Sequence, residues 1–119
     1  MVDLSQHTKK FQKELNSGIS SLILLSVLNR SNAPMYGYQI AKMLEESGPD
    51  IPMMKQGTLY PVLRSLEENE LLASMVEPSV SGPPRRYYQI TPAGRAALTE
   101  WVTIWQQTKT FVDTNLRGQ

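Results

Sequence analysis

The sequence predicts a mainly α-helical domain with one small β-hairpin. Three observations carry that expectation. Apolar residues recur at three- and four-residue steps through three early stretches. The period then changes around a loop rich in Pro, Ser and Gly. Thr91-Pro92 finally opens one more long apolar-periodic run. A chain of 119 residues fits one domain, and 40% hydrophobic with 19% charged residues is a globular rather than a disordered mixture.

Residues 1–10 read as a loose, flexible leading arm. From residue 11 to about residue 30, Leu15, Ile19, Leu22 and Ile23 recur at helical steps. Leu24, Leu25, Val27 and Leu28 widen the stripe to most of the circumference, which places this helix centrally. Ser31-Asn32-Ala33-Pro34 breaks it. Residues 36 to about 47 form a second helix, with Ile40, Ala41, Met43 and Leu44 inward and Gly48-Pro49-Asp50 as its stop. A connector at 51–55 leads to a third helix over about 56–69, striped by Leu59, Val62, Leu63 and Leu66. Pro61 places its start close to Gly57, because proline clashes with the carbonyl four residues back. Residues 71–76 and 85–90 then read as strands around a loop at 78–84. On the second strand Arg86, Tyr88 and Ile90 share one face, and Arg85, Tyr87 and Gln89 the other. Thr91 at N-cap and Pro92 at N1 start the last helix, which runs to about residue 116.

Lys and Arg number 12, Asp and Glu 11, so the net charge is +1 and any basic surface must come from arrangement. The absence of Cys excludes a disulfide scaffold, thiolate metal sites and a Cys nucleophile. The single His7 sits in a polar stretch, which argues against a His-centred triad or transition-metal site. Glu67 and Glu68 are adjacent on a helix, so they point about 100° apart rather than converging as an acid/base pair. An enzyme is therefore the least expected class, and no metal or cofactor is expected. The longest apolar cluster, residues 22–28, is too short to span a bilayer, and no basic-then-apolar segment opens the chain. A cytoplasmic location without a membrane partner is expected.

Three helices followed by a hairpin is the layout of a winged helix-turn-helix, in which the third helix enters the major groove and the hairpin touches flanking backbone. The expected organisation is a flexible arm at 1–10, a winged helix-turn-helix DNA-binding domain at 11–90 and a long C-terminal dimerisation helix at 91–119. On the third helix Gln56, Thr58, Tyr60, Arg64 and Ser65 face outward, with Lys55 just before them, and can donate to phosphates or base edges. Glu67, Glu68 and Glu70 would repel phosphate, so only the N-terminal half of that helix can approach DNA, with the positive end of its dipole. Arg85 and Arg86 leave the wing strand on opposite faces, so at least one reaches outward. Blander roles stand beside these: a core-edge cap for Tyr60, a solvated charge for Arg64. Lys9, Lys10 and Lys13 fit an arm on DNA and an ordinary soluble terminus equally well.

Three ordered motifs carry a family likeness. They are Tyr36-Gly37-Tyr38-Gln39-Ile40, then Gly57-Thr58-Leu59-Tyr60-Pro61 with Leu63, Leu66 and Glu67, then Pro84-Arg85-Arg86-Tyr87-Tyr88-Gln89-Ile90-Thr91 with Gly94. Together they resemble the PadR family of bacterial transcriptional regulators, in its short form with one C-terminal helix. The resemblance implies a dimeric winged-helix repressor released from DNA by a small molecule or stress signal. It also implies a DNA face of Tyr36, Tyr38, Gly57, Thr58, Tyr60, Arg64, Arg85, Arg86 and Tyr87, with Tyr38 alternatively in the core. Where the family often has Gly before the first wing strand, this chain has Glu70. The left-handed cap is then expected on Asn69, or the helix ends differently.

The last helix carries more apolar surface than one small core covers. Leu98, Val102, Trp105, Val112 and Leu116 form a narrow seam, flanked by Trp101, Ile104 and Phe111. Leu98, Trp101, Val102, Trp105, Val112 and Leu116 are the expected dimer interface, and a two-fold dimer predicts a pseudo-palindromic operator. In multidrug-sensing members of the resembled family a tryptophan on the last helix stacks aromatic ligands, and Trp105 is similar in place. Leu15, Ser21, Leu22 and Trp101 complete the candidate lining for a small aromatic effector. The expected function is therefore a dimeric, sequence-specific DNA-binding regulator. The rival is a winged-helix protein–protein adaptor that does not bind DNA.

Overall fold

Helix formation begins well before the first apolar period. In the computed structural model, which describes residues 2–46 and 56–118, the Asp3 carboxylate accepts from the Ser5 N–H at 3.0 Å and the Gln6 N–H at 3.4 Å. Those bonds cap α1 (Leu4–Arg30), so residues 4–10 are helical rather than a loose arm. The first turns are polar and exposed, and for that reason carry no periodic signal. The second half of α1 is the central element, with Leu24, Leu25, Val27 and Leu28 buried. Ser20 is also buried and donates its hydroxyl to the Asn16 carbonyl at 2.6 Å.

After the break at Ser31 comes β1 (Met35–Tyr36), a strand too short to show alternation and absent from the sequence-based expectation. Gly37–Glu46 forms α2, whose first turn is closed by the Tyr36 N–H donating to Gln39 Oε1 at 3.0 Å. Its inner face is Gly37, Ile40, Ala41 and Leu44; Met43, expected inward, is 42% exposed because it lies a third of a turn off that stripe. The expected Gly48-Pro49-Asp50 stop and the connector at 51–55, including Lys55, lie outside the described residues.

The helix α3 spans Gln56–Glu68, with Leu59, Leu63 and Leu66 buried. Starting at Gln56 puts Pro61 in the second turn, where the carbonyl left without an intrahelical donor is that of Gly57. The helix closes in a Schellman motif: the Leu71 N–H donates to the Leu66 carbonyl and the Glu70 N–H to the Glu67 carbonyl, each at 2.9 Å. Glu70 itself takes the left-handed conformation, with φ 63°, not Asn69. Asn69 instead donates its side-chain amide to the Ser65 carbonyl at 2.9 Å.

Because Leu71 belongs to that cap, β2 (Leu72–Glu77) starts one residue later than expected, while β3 (Arg85–Ile90) lies where alternation predicts. The strands form an antiparallel sheet in the order β1-β3-β2, with Leu72 opposite Ile90, Glu77 opposite Arg85 and Tyr36 opposite Tyr87. Thr91 then caps α4 (Pro92–Arg117), accepting from the Gly94 N–H at 2.9 Å. The same hydroxyl donates to the Glu70 carbonyl at 2.8 Å, and the Thr91 N–H donates to the Leu71 carbonyl at 3.2 Å. A Cβ on Gly94 would lie 2.1 Å from the Leu71 carbonyl oxygen, so only glycine permits this approach. Beyond Leu98 and Trp101, α4 leaves the core: Trp105 is 39% and Leu116 58% exposed. The radius of gyration, 16.6 Å, exceeds the ~13.5 Å of a compact chain of this length, because α1 and α4 project.

Candidate functional site

The N-terminal half of α3 turns Leu59 and Leu63 inward, and the helical period therefore turns Gly57, Thr58, Tyr60 and Arg64 outward. Gln56 is the first residue of the helix. The Tyr60 ring rests on α2 at Gly37, where a Cβ would meet Tyr60 Cε1 at 2.4 Å and Cζ at 2.8 Å. Gly37 thus seats Tyr60, which joins the Tyr36-Gly37 and Gly57-Tyr60 motifs into one surface. Among the described residues, a Cβ on Gly57 would meet nothing within 4 Å, so on that side the helix start offers room to a close-approaching partner.

A second group lies on the solvent face of the sheet. Tyr36 meets Tyr87 edge-on at 5.4 Å between ring centroids and stacks near Tyr38 at 6.4 Å. The Arg85 guanidinium carbon sits 4.5 Å from the centre of the Tyr36 ring, a cation–π contact. Tyr38 is 53% exposed and belongs to this surface, not to the core.

Arg86 leaves β3 on the other face, with buried Tyr88 and Ile90. Its Nη1 donates to Ser74 Oγ at 2.9 Å, and the Ser74 hydroxyl donates in turn to Glu67 Oε2. This relay braces the hairpin against the far end of α3. It gives Glu67 a structural task that its charge alone does not suggest, and the pattern of β2 does not single out Ser74. The two adjacent arginines thus do different work: Arg85 is presented on the aromatic surface, and Arg86 is held by the helix it flanks.

A cleft of about 390 Å³ separates α1 from α4. Leu15, Leu22, Trp101 and Trp105 line it together with Ile19 and Ile104. Ser21, expected in the same lining, is not part of it. Among the described residues no helix is long and apolar enough to cross a membrane, and no group of three or more His, Cys, Asp or Glu could hold a metal ion.

An exposed helix start beside a braced, arginine-bearing hairpin defines a winged helix-turn-helix protein of the DNA-binding class. Residues 24–100 match the PadR-like family of transcriptional regulators. A crystal structure of a PadR family transcriptional regulator from Eggerthella lenta superposes with a TM-score of 0.77 at 33% identity, covering 95% of each chain. An uncharacterised protein, named protein X, from Lysinibacillus sphaericus is 31% identical over 100 residues, 84% of this chain and 89% of its own. The transcriptional regulator Rv3488 of Mycobacterium tuberculosis is 59% identical over 44 residues, 37% of this chain and 40% of that protein. The chain belongs to the PadR-like family of DNA-binding transcriptional regulators.

Tyr88, at the centre of the sheet, ties this site to pH. Burial first, then the neighbouring Glu67 carboxylate, hold its phenol above the ordinary value of 10.0, so the fold favours the protonated form. That contribution is complete below pH 10.0 and is lost as pH rises through the raised value. Between about pH 9 and about pH 11, urea titrations should show Tyr88→Phe losing less stability than the unsubstituted protein. Equal losses would contradict the assignment.

Proposed function

We propose that this protein is a dimeric, sequence-specific repressor that leaves its operator when a planar aromatic effector binds. The observation that carries the DNA-reading part is the surface shared by Thr58, Tyr60 and Arg64 on α3 with Tyr36, Tyr38, Arg85 and Tyr87 beside it. Lys55 and Gln56 precede or open the same helix in sequence, and Arg86 flanks it on the wing. In the proposed complex the first turns of α3 enter the major groove, while the hairpin reaches neighbouring phosphates.

The exposed apolar row on α4 supports self-association. Trp105, Val112 and Leu116 are each more than a third exposed in the single chain, and a second copy would remove them from water. Leu98 is already buried within the protomer, so it would steady the base of the helix, leaving Trp101, Val102, Trp105, Val112 and Leu116 to meet the partner. In this division residues 11–90 read DNA and residues 91–119 dimerise. A two-fold pair places the reading helices about one turn of duplex, ~34 Å, apart, so the operator is pseudo-palindromic. The α1–α4 cleft, with two indoles in its wall, has the size and apolar character of a small-molecule site. An effector that binds best at another spacing of the reading helices weakens DNA binding by that difference in affinity.

Duplexes selected from a random-sequence library should bind with a steep salt dependence. Arg64→Ala and Arg86→Ala should each weaken that binding and reduce the logarithmic salt slope by about one. Unchanged affinity and slope in both would contradict the proposed face, and a wild-type protein without salt-steep binding would favour the adaptor role instead. For the effector, planar aromatic dyes should quench tryptophan fluorescence, and Trp105→Ala should abolish the effect. Quenching that survives Trp105→Ala, or none across a broad panel, would leave the indoles as packing residues.

A further inference from the structure

The first half of α1 carries a chemistry that neither the core nor the α4 cleft uses. Lys9, Gln12, Lys13, Asn16 and Ser20 follow one another at short steps that bring them to one stripe of the helix. That stripe faces α3: its residues line a cleft of about 520 Å³ together with Thr58 and Val62 of the reading helix. An adjacent face of α1, about 110° round the helix and carrying Leu15, Ile19 and Leu22, lines the cleft against α4. The helix is therefore divided lengthwise, apolar toward α4 and cationic toward α3. Asp3 caps it at Leu4, so the lysines sit on regular helix.

We propose that the Lys9–Lys13 face of α1 is a third DNA-contacting element, holding the phosphate backbone next to the groove that the leading turn of α3 enters. The proposal rests on the DNA-binding function given above. Two observations fix the occupant as duplex DNA. The first is continuity: Thr58 belongs both to this cleft and to the exposed start of α3. The second is charge. The described lining contributes two ammonium groups, an amide pair and hydroxyls, but no carboxylate. Gln12 and Asn16 are joined at 2.8 Å, Nε2 donating to Oδ1, which leaves the Asn16 amide group to donate outward. Lysine is a compact charge on a flexible stem, suited to phosphate rather than to a base edge. The element should consequently add affinity without sequence preference.

The test uses the full chain carrying Lys9→Gln and Lys13→Gln together, on the duplexes selected by the wild-type protein and on a random-sequence duplex. Both positions are exposed, so the fold is not at risk. The expected result is a salt slope reduced by about two, with affinity lowered by a similar factor on both duplexes and the ranking of sequences unchanged. Lys10→Gln, which removes the same charge from a different stripe, should leave the slope close to that of the wild type. A wild-type slope in the double variant would overturn the proposal while leaving the DNA-binding function standing; absence of salt-steep binding by the wild type would instead remove that function. Loss of self-association in sedimentation, with the slope intact, would assign the cleft to a second copy of the chain and overturn the proposal as well.

Discussion

The carbonyls of Glu70 and Leu71 are the point at which the three working parts of the molecule are joined. The last turn of α3 ends there in its left-handed cap, the hairpin starts one residue later, and Thr91 returns to both carbonyls as it opens α4. Both carbonyls lie in the cap between α3 and β2, outside the repeating bonds of the helix, and each needs a partner of its own. Satisfying them with one threonine ties reading helix, wing and projecting helix to a single locus. Gly94 is what lets α4 come that close.

The polar network works outward from this joint. Glu67 lies in the last turn before the cap, and through Ser74 in the middle of β2 it holds Arg86 near the loop end of β3, so α3 braces the hairpin along its length. Arg85, one residue earlier, is free of that brace and lies on the Tyr36 ring. A protein of net charge +1 can in this way present cations to a polyanion: an acidic residue at the back of α3 is engaged by the wing, while the front of the helix carries Arg64 and its amide dipole.

Much of this is legible in the sequence. Apolar spacing locates most of the buried core of α1, α2 and α3, alternation finds β3 to the residue, and Thr91-Pro92 marks the start of α4. What escapes has a common physical cause: it leaves no period. The polar first turns of α1 depend on one capping carboxylate at Asp3. The strand β1 is only Met35 and Tyr36 and is defined by its partner, not by itself. The left-handed residue falls on Glu70, where backbone closure outweighs the preference for Asn or Gly. At the site, the outward residues of α3 follow from helical spacing alone. The seat of Tyr60 on Gly37 and the Arg86–Ser74–Glu67 relay arise from elements far apart in the chain, which local patterns do not record.

The joint at Glu70 and Leu71 is tested most directly by amide hydrogen exchange in Gly94→Ala. The Glu70, Leu71 and Thr91 amides should all exchange faster than in the unsubstituted protein, and together, because an added methyl forces α4 off the Leu71 carbonyl. Unsubstituted protection at all three amides would contradict the account.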